Sequence, residues 1–218
     1  MKRAGKFRIL EKTPQNSLRP DFVHAVFPEA VFLVITRDPY ATIASITSFW
    51  RNHTKSLTGI SKNKLLEKLK QTSPQQLLPY AVEFVKRALP SNSSSPAVMW
   101  GPRLPGLEEM VKNLSLNEVA AHQWRQCMEY IFHFSCKHPN VVRAWALEDL
   151  NESDMREMMD FVGLGDEEGV ISSFREKFAY QKNFREKEIN ETFKSEVEPI
   201  IAPTLALFKK TNWPACLK

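Results

Sequence analysis

The sequence predicts an α/β domain with a mainly parallel sheet, and three short apolar runs separated by helical stretches carry that expectation. The runs are Phe7-Arg8-Ile9-Leu10, Val31-Phe32-Leu33-Val34-Ile35 and Val141 to Leu147. Each is too short for a core helix, and the second is continuous and β-branched in the manner of a buried parallel strand. The end of that second run is the most informative feature of the chain. It closes on Arg37, and Asp38-Pro39 then supplies an N-cap acceptor and a proline at the first helical position. Arg37 is thereby placed at the carboxyl end of a strand, where open α/β sheets bind ligands.

The remaining elements are set by local chemistry. A helix is expected from about Ser17 to Phe27, then others over Pro39–His53, Lys62–Gln71 and Pro74–Leu89. The stretch from Pro90 to Gly106 is rich in Pro, Ser and Asn and reads as a loop. Ser115-Leu116-Asn117-Glu118 is a capping box that opens a helix running to about Lys137. On it Trp124, Cys127, Met128, Ile131 and Phe134 form an apolar stripe. After the third strand a helix is expected from about Ser153 to Val162, with Gly163 as its C-cap. Helices at Asp166–Phe178 and Phe184–Lys210 form a covering segment over about 166–218, the second bent or interrupted at Pro199 and Pro203. At 218 residues and 43% hydrophobic composition the chain has the size and apolar content of a single domain, 1–218.

The first two strands end in cations, Lys12 and Arg37, and a right-handed β-α-β unit would open both on one edge of the sheet. Ser45, eight residues after Arg37, falls two turns into the next helix. A guanidinium, a hydroxyl and a helix N-terminus suit one phosphate; the alternative is an arginine that merely caps a strand and a serine that is an ordinary helix residue.

Glu11-Lys12-Thr13-Pro14, Phe27 to Phe32, Arg37-Asp38-Pro39 and Ser45 together resemble the core of the sulfotransferases that use 3′-phosphoadenosine 5′-phosphosulfate. The similarity is closest to the branch with carbohydrate and Golgi-type members. It continues more loosely through Trp100-Gly101-Pro102-Arg103, Gln123-Trp124 and Leu147-Glu148-Asp149-Leu150. The resemblance implies a three-layer fold of the P-loop nucleoside triphosphate hydrolase type. It implies that Arg37 and Ser45 hold the 3′-phosphate of the phosphosulfate co-substrate, that Lys12 lies near the transferring sulfuryl group, and that Arg103 borders the acceptor. No metal is implied.

Three departures from that pattern stand out. The family's first strand and glycine-containing phosphosulfate loop are expected to be missing, since ten residues precede Glu11 and no Gly-x-x-x-x-Gly-Lys occurs. The position of the catalytic histidine of some members is Pro14, which leaves Glu11 as the nearby carboxylate; it serves as base or pairs with Lys12 or Arg8. The tyrosine expected before Glu148 is Leu147, so Trp145 and Leu147 either line an adenine pocket or are core residues of a strand. The expected activity is sulfuryl transfer to a hydroxyl or amine of a carbohydrate, a protein tyrosine or a small alcohol. The alternative is a catalytically inactive binding protein on the same fold.

Charge and cysteine content narrow the partners. Residues 1–100 hold 15 Lys and Arg against 6 Asp and Glu, and residues 101–218 hold 15 against 19, so the basic half is the half with the anion motif. The basic residues show no aromatic-interleaved stripe, and nucleic acid is not an expected partner. Cys127, Cys136 and Cys216 have no metal-ligand spacing, and His122, His133 and His138 do not converge. Five Asn-x-Ser/Thr acceptors, at Asn52, Asn92, Asn113, Asn151 and Asn190, suggest a Golgi lumen, with a cytoplasmic location left open. Any membrane attachment is expected only through an N-terminal anchor outside this sequence.

Overall fold

The computed structural model describes residues 9–55, 101–165, 168–178 and 189–214, without side chains for 52–55. A 3-10 turn at Pro14–Leu18 leads into α1 (Pro20–Val26), β1 (Phe32–Thr36) and α2 (Pro39–Lys55). After the undescribed stretch come α3 (Leu107–Asn113), α4 (Leu116–Lys137), β2 (Val142–Ala146), α5 (Glu152–Phe161), α6 (Glu168–Phe178) and α7 (Glu191–Thr211). The helices expected at 62–71 and 74–89 lie outside the described residues, as do Trp100, Cys216 and residues 166–167 and 184–188 of the last two expected helices.

β1 and β2 pair in parallel, with Phe32 opposite Val142 and Thr36 opposite Ala146. Phe32 and Val34 face a core formed by Val142 and Ala144 with Ile43 and Ala44 of α2, Trp124 and Phe134 of α4, and Val197, Ile201 and Phe208 of α7. The helix α4 is therefore central. Val119, Ala120, Ala121, Gln123, Trp124, Phe132, Phe134 and Ser135 are all buried along it, more than one stripe can hold. On the other sheet face Trp145 is fully buried, and Arg143 lies over the Phe161 ring at 4.9 Å. Leu33 and Ile35 on that face of β1 remain 36% and 46% exposed.

Local chemistry sets most boundaries. Both halves of the capping box at Ser115 and Glu118 are made. Gly163 adopts φ +63°, and its N–H reaches Asp160 O at 2.8 Å to close α5, a conformation glycine takes without strain. Three expectations are corrected. Residues 9 and 10 form no strand, and their side chains are 71% and 90% exposed, so the described part of the first apolar run is unpaired. The helix expected from Ser17 breaks at Arg19 because Pro20 has no N–H to continue a turn, and it starts α1 instead. Pro199 and Pro203 do not interrupt α7. Both are exposed and four residues apart, so the carbonyls they leave unpaired, Ser195 and Pro199, lie on the solvent face where water can serve them.

Two of the glycosylation-like sequences have a folding role. Asn151 accepts the N–H groups of Ser153 and Asp154 at 2.8 and 3.2 Å, and Asn190 accepts that of Phe193 at 2.8 Å. Asn at an N-cap followed by Ser or Thr two places on writes the same three-letter pattern as an acceptor site. Asn151→Ala should cost about 1 kcal/mol of stability, read by urea unfolding; an unchanged midpoint would show that the cap contributes nothing to α5.

Glu129 ties α4 to α7. Its carboxylate accepts the Thr204 hydroxyl at 2.6 Å and Arg125 Nε at 2.8 Å. Partial burial pushes its pKa up, but the Thr204 hydroxyl and the Arg125 guanidinium outweigh that and hold it below the usual carboxylate range. A depressed folded pKa means the contribution is complete above the unfolded value and is lost as pH falls through the folded one. Unfolding measured from pH 7 down to pH 3 should therefore show a shallower acid limb for Glu129→Gln than for the wild type.

Candidate anion-binding site

The sheet edge is built from the β1–α2 turn. β1 ends at Thr36, Arg37 is next and half-buried, and Asp38 caps α2 by accepting the Ala41 N–H at 2.7 Å. Pro39 needs no acceptor there, and the Thr42 hydroxyl donates back to Asp38 O at 2.8 Å. Ser45, half-buried, lies seven residues beyond Asp38. At 100° per residue that returns it to the Asp38 face of the helix, about 10 Å along the axis. Arg37 thus directly precedes a helix whose Asp38 face carries Ser45.

β2 ends beside this turn. Leu147 N–H donates to Thr36 O at 2.8 Å, the Thr36 hydroxyl donates to Trp145 O at 3.2 Å, and Asp38 N–H donates to Glu148 Oε1 at 2.8 Å. The parallel pairing brings Glu148 against the Arg37-Asp38 loop, so an acid stands at the cationic edge. Glu148 is a site residue that the sequence pattern alone does not mark. The available signal is that β2, parallel to β1, must deliver the first carboxylate after it to the same edge. Trp145 is a core residue, not a pocket wall, at 1% exposure.

The other expected site residues are less tightly placed. Lys12 is exposed in irregular chain ahead of the 3-10 turn and does not end a strand. Glu11 is also exposed, and its carboxylate accepts the Thr13 hydroxyl, a partner not among those expected for it. Arg103 is exposed on the loop before α3. That loop is held by Gln123, which is 1% exposed, accepts the Trp50 indole N–H at 3.1 Å and donates to Pro102 O at 3.0 Å. Gly101 sits at φ +83° with its Cβ direction 3.0 Å from Gln123 Nε2, so a side chain there would strain both backbone and contact. Gln123 therefore shapes the Arg103 loop.

A cleft of about 370 Å³ opens further along α2, lined by Ala44, Thr47, Arg51, Asn117, Thr192 and Glu196 among others. Glu196 already accepts Asn117 Nδ2 at 2.8 Å and the Ser115 hydroxyl at 3.2 Å, so its carboxylate fills the anion position at the start of α4. The cleft runs along α2 from Ala44, next to Ser45, to Arg51, which lies twelve residues beyond Pro39, about 18 Å along the helix. Among the described residues no cluster of three His, Cys, Asp or Glu side chains forms a metal site, and no helix is long and apolar enough to cross a membrane.

Residues 2–88 match the sulfotransferase family. Glu11, Lys12, Arg37 and Ser45 lie inside that range, and Arg103 lies outside it. A 47-residue stretch is 40% identical to the nodulation protein NoeE of Sinorhizobium fredii, covering 22% of this chain and 11% of that protein. No solved structure matches the chain. The two comparisons support a sulfotransferase family, and the parallel strand pair with its flanking helices is compatible with a sulfotransferase fold.

Proposed function

We propose that the chain carries the 3′-phosphate-binding part of a sulfotransferase and uses 3′-phosphoadenosine 5′-phosphosulfate as donor. The observation that carries the reading is the β1–α2 turn. Within the family-matched segment, Arg37 leaves a strand directly into a capped helix whose Asp38 face bears Ser45. Arg37 and Ser45 take the 3′-phosphate, on a three-layer fold with a central mainly parallel sheet. The acceptor oxygen or nitrogen attacks sulfur as the bond to the 5′-phosphate oxygen breaks, releasing adenosine 3′,5′-bisphosphate. Lys12 stabilises charge on the bridging oxygen, and Glu11 takes the acceptor proton. The acceptor is a hydroxyl or amine of a carbohydrate, a tyrosine or a small alcohol near Arg103, in a Golgi-type lumen.

Calorimetric titration with adenosine 3′,5′-bisphosphate, paired with radiolabel transfer from the donor, tests this. Binding with transfer supports it; binding without transfer favours an inactive binding protein; no binding overturns the nucleotide assignment. Lys12→Ala should lower transfer by about a hundredfold or more while bisphosphate affinity changes little, because its charge acts on the sulfuryl group. Equal losses of both would remove Lys12 from that role.

A further inference from the structure

We infer that Glu148 is the positioning residue of the β1–α2 turn, completing the cap of α2 from the end of β2. The inference rests on reading that turn as the anion site. In a capping box the residue three places into the helix returns a carboxylate to the N-cap N–H. The helices α4 and α5 do this locally, with Glu118 serving Ser115 N–H at 2.7 Å and Asp154 serving Asn151 N–H at 3.1 Å. In α2 the corresponding residue is Ala41, which has no acceptor to offer. The Asp38 N–H goes instead to Glu148 Oε1 at 2.8 Å, 110 residues away. Half of the α2 box is thus local, Asp38 to Ala41, and half is supplied by the neighbouring strand.

The consequence is mechanical. Arg37 is bracketed by the Thr36–Leu147 bond on one side and the Asp38–Glu148 bond on the other, so both peptide units flanking its Cα are tied to the β2 end. That fixes the direction in which the Arg37 side chain leaves the backbone. A carboxylate at this place repels an incoming phosphate, yet it is exposed and its field is screened by water and salt. What the turn takes from Glu148 is an acceptor oxygen, and its charge is incidental. A glutamine would keep the oxygen and remove the charge; an alanine would remove both.

The two variants therefore separate in opposite directions. Hydrogen exchange of the Asp38 amide, monitored by NMR, should accelerate about tenfold or more in Glu148→Ala and stay near the wild-type rate in Glu148→Gln. Bisphosphate affinity should fall severalfold in the alanine variant and hold or rise in the glutamine variant, with donor KM moving and kcat changing little. Unchanged Asp38 exchange in the alanine variant would overturn the inference, as would a glutamine variant as impaired as the alanine one. A wild-type chain that binds no bisphosphate would end the nucleotide reading, and the exchange rates alone would then decide the role of Glu148.

Discussion

Arg37→Ala should weaken adenosine 3′,5′-bisphosphate binding by about 1.5–3 kcal/mol, roughly ten- to hundred-and-fifty-fold, the value of a hydrogen bond to a charged group. The guanidinium is the cation placed by the β1–α2 turn, and the helix N-terminus behind it adds a smaller attraction for the same phosphate. Arg37→Lys should recover part of the loss, because an ammonium keeps the charge but not the planar fork. Ser45→Ala should cost about 0.5–1.5 kcal/mol, as a neutral donor does. Titrations at two salt concentrations separate the contributions. The Arg37 difference should shrink at high salt while the Ser45 difference persists. An Arg37→Ala variant that binds as well as the wild type, with its fold intact by circular dichroism, would remove this turn from nucleotide binding.

The parts of this molecule that could be read from sequence are those decided by neighbours in the chain. Asp38-Pro39 fixes the start of α2, Ser115 with Glu118 fixes that of α4, and Gly163 ends α5, each through groups within four residues. The parts that could not be read depend on partners far away. Ile9 and Leu10 look like strand residues in any local window, but a strand exists only when another pairs with it. Pro199 and Pro203 look like breaks, and they are tolerated because the packing of Phe193, Val197, Ile201 and Phe208 holds α7 through them. Asn151 and Asn190 read as modification acceptors in the sequence, and their further part as N-caps shows only when their side chains are found on backbone N–H groups. In the candidate site the same division holds. Arg37 and Ser45 are placed by one local unit, whereas Glu148 enters only because β2 pairs with β1 in register.

Phe134→Ala should be the most destabilising single change, at about 3–5 kcal/mol for a buried aromatic truncated to a methyl group. Phe134 is 1% exposed in the last two turns of α4, and its ring meets Phe32 edge-on at 4.7 Å between centroids. His24 of α1 and His138 pack on it at 5.9 and 4.8 Å. One side chain therefore joins β1, α1 and the end of α4. A loss of this size is a large share of the roughly 5–15 kcal/mol that holds a typical domain. The loss should also be uneven. Exchange protection should fall first in α1 and β1, which lean on the ring, and later where α4 meets α7, whose contacts lie along Val197 and Ile201. Because Arg37 leaves the end of β1, bisphosphate affinity should drop in Phe134→Ala even though the ring touches no ligand. Phe134→Leu, which refills most of the space, should restore much of both. Urea unfolding with site-resolved exchange reads the result, and a cost below about 1 kcal/mol would show that β1 is held to the helices by other contacts.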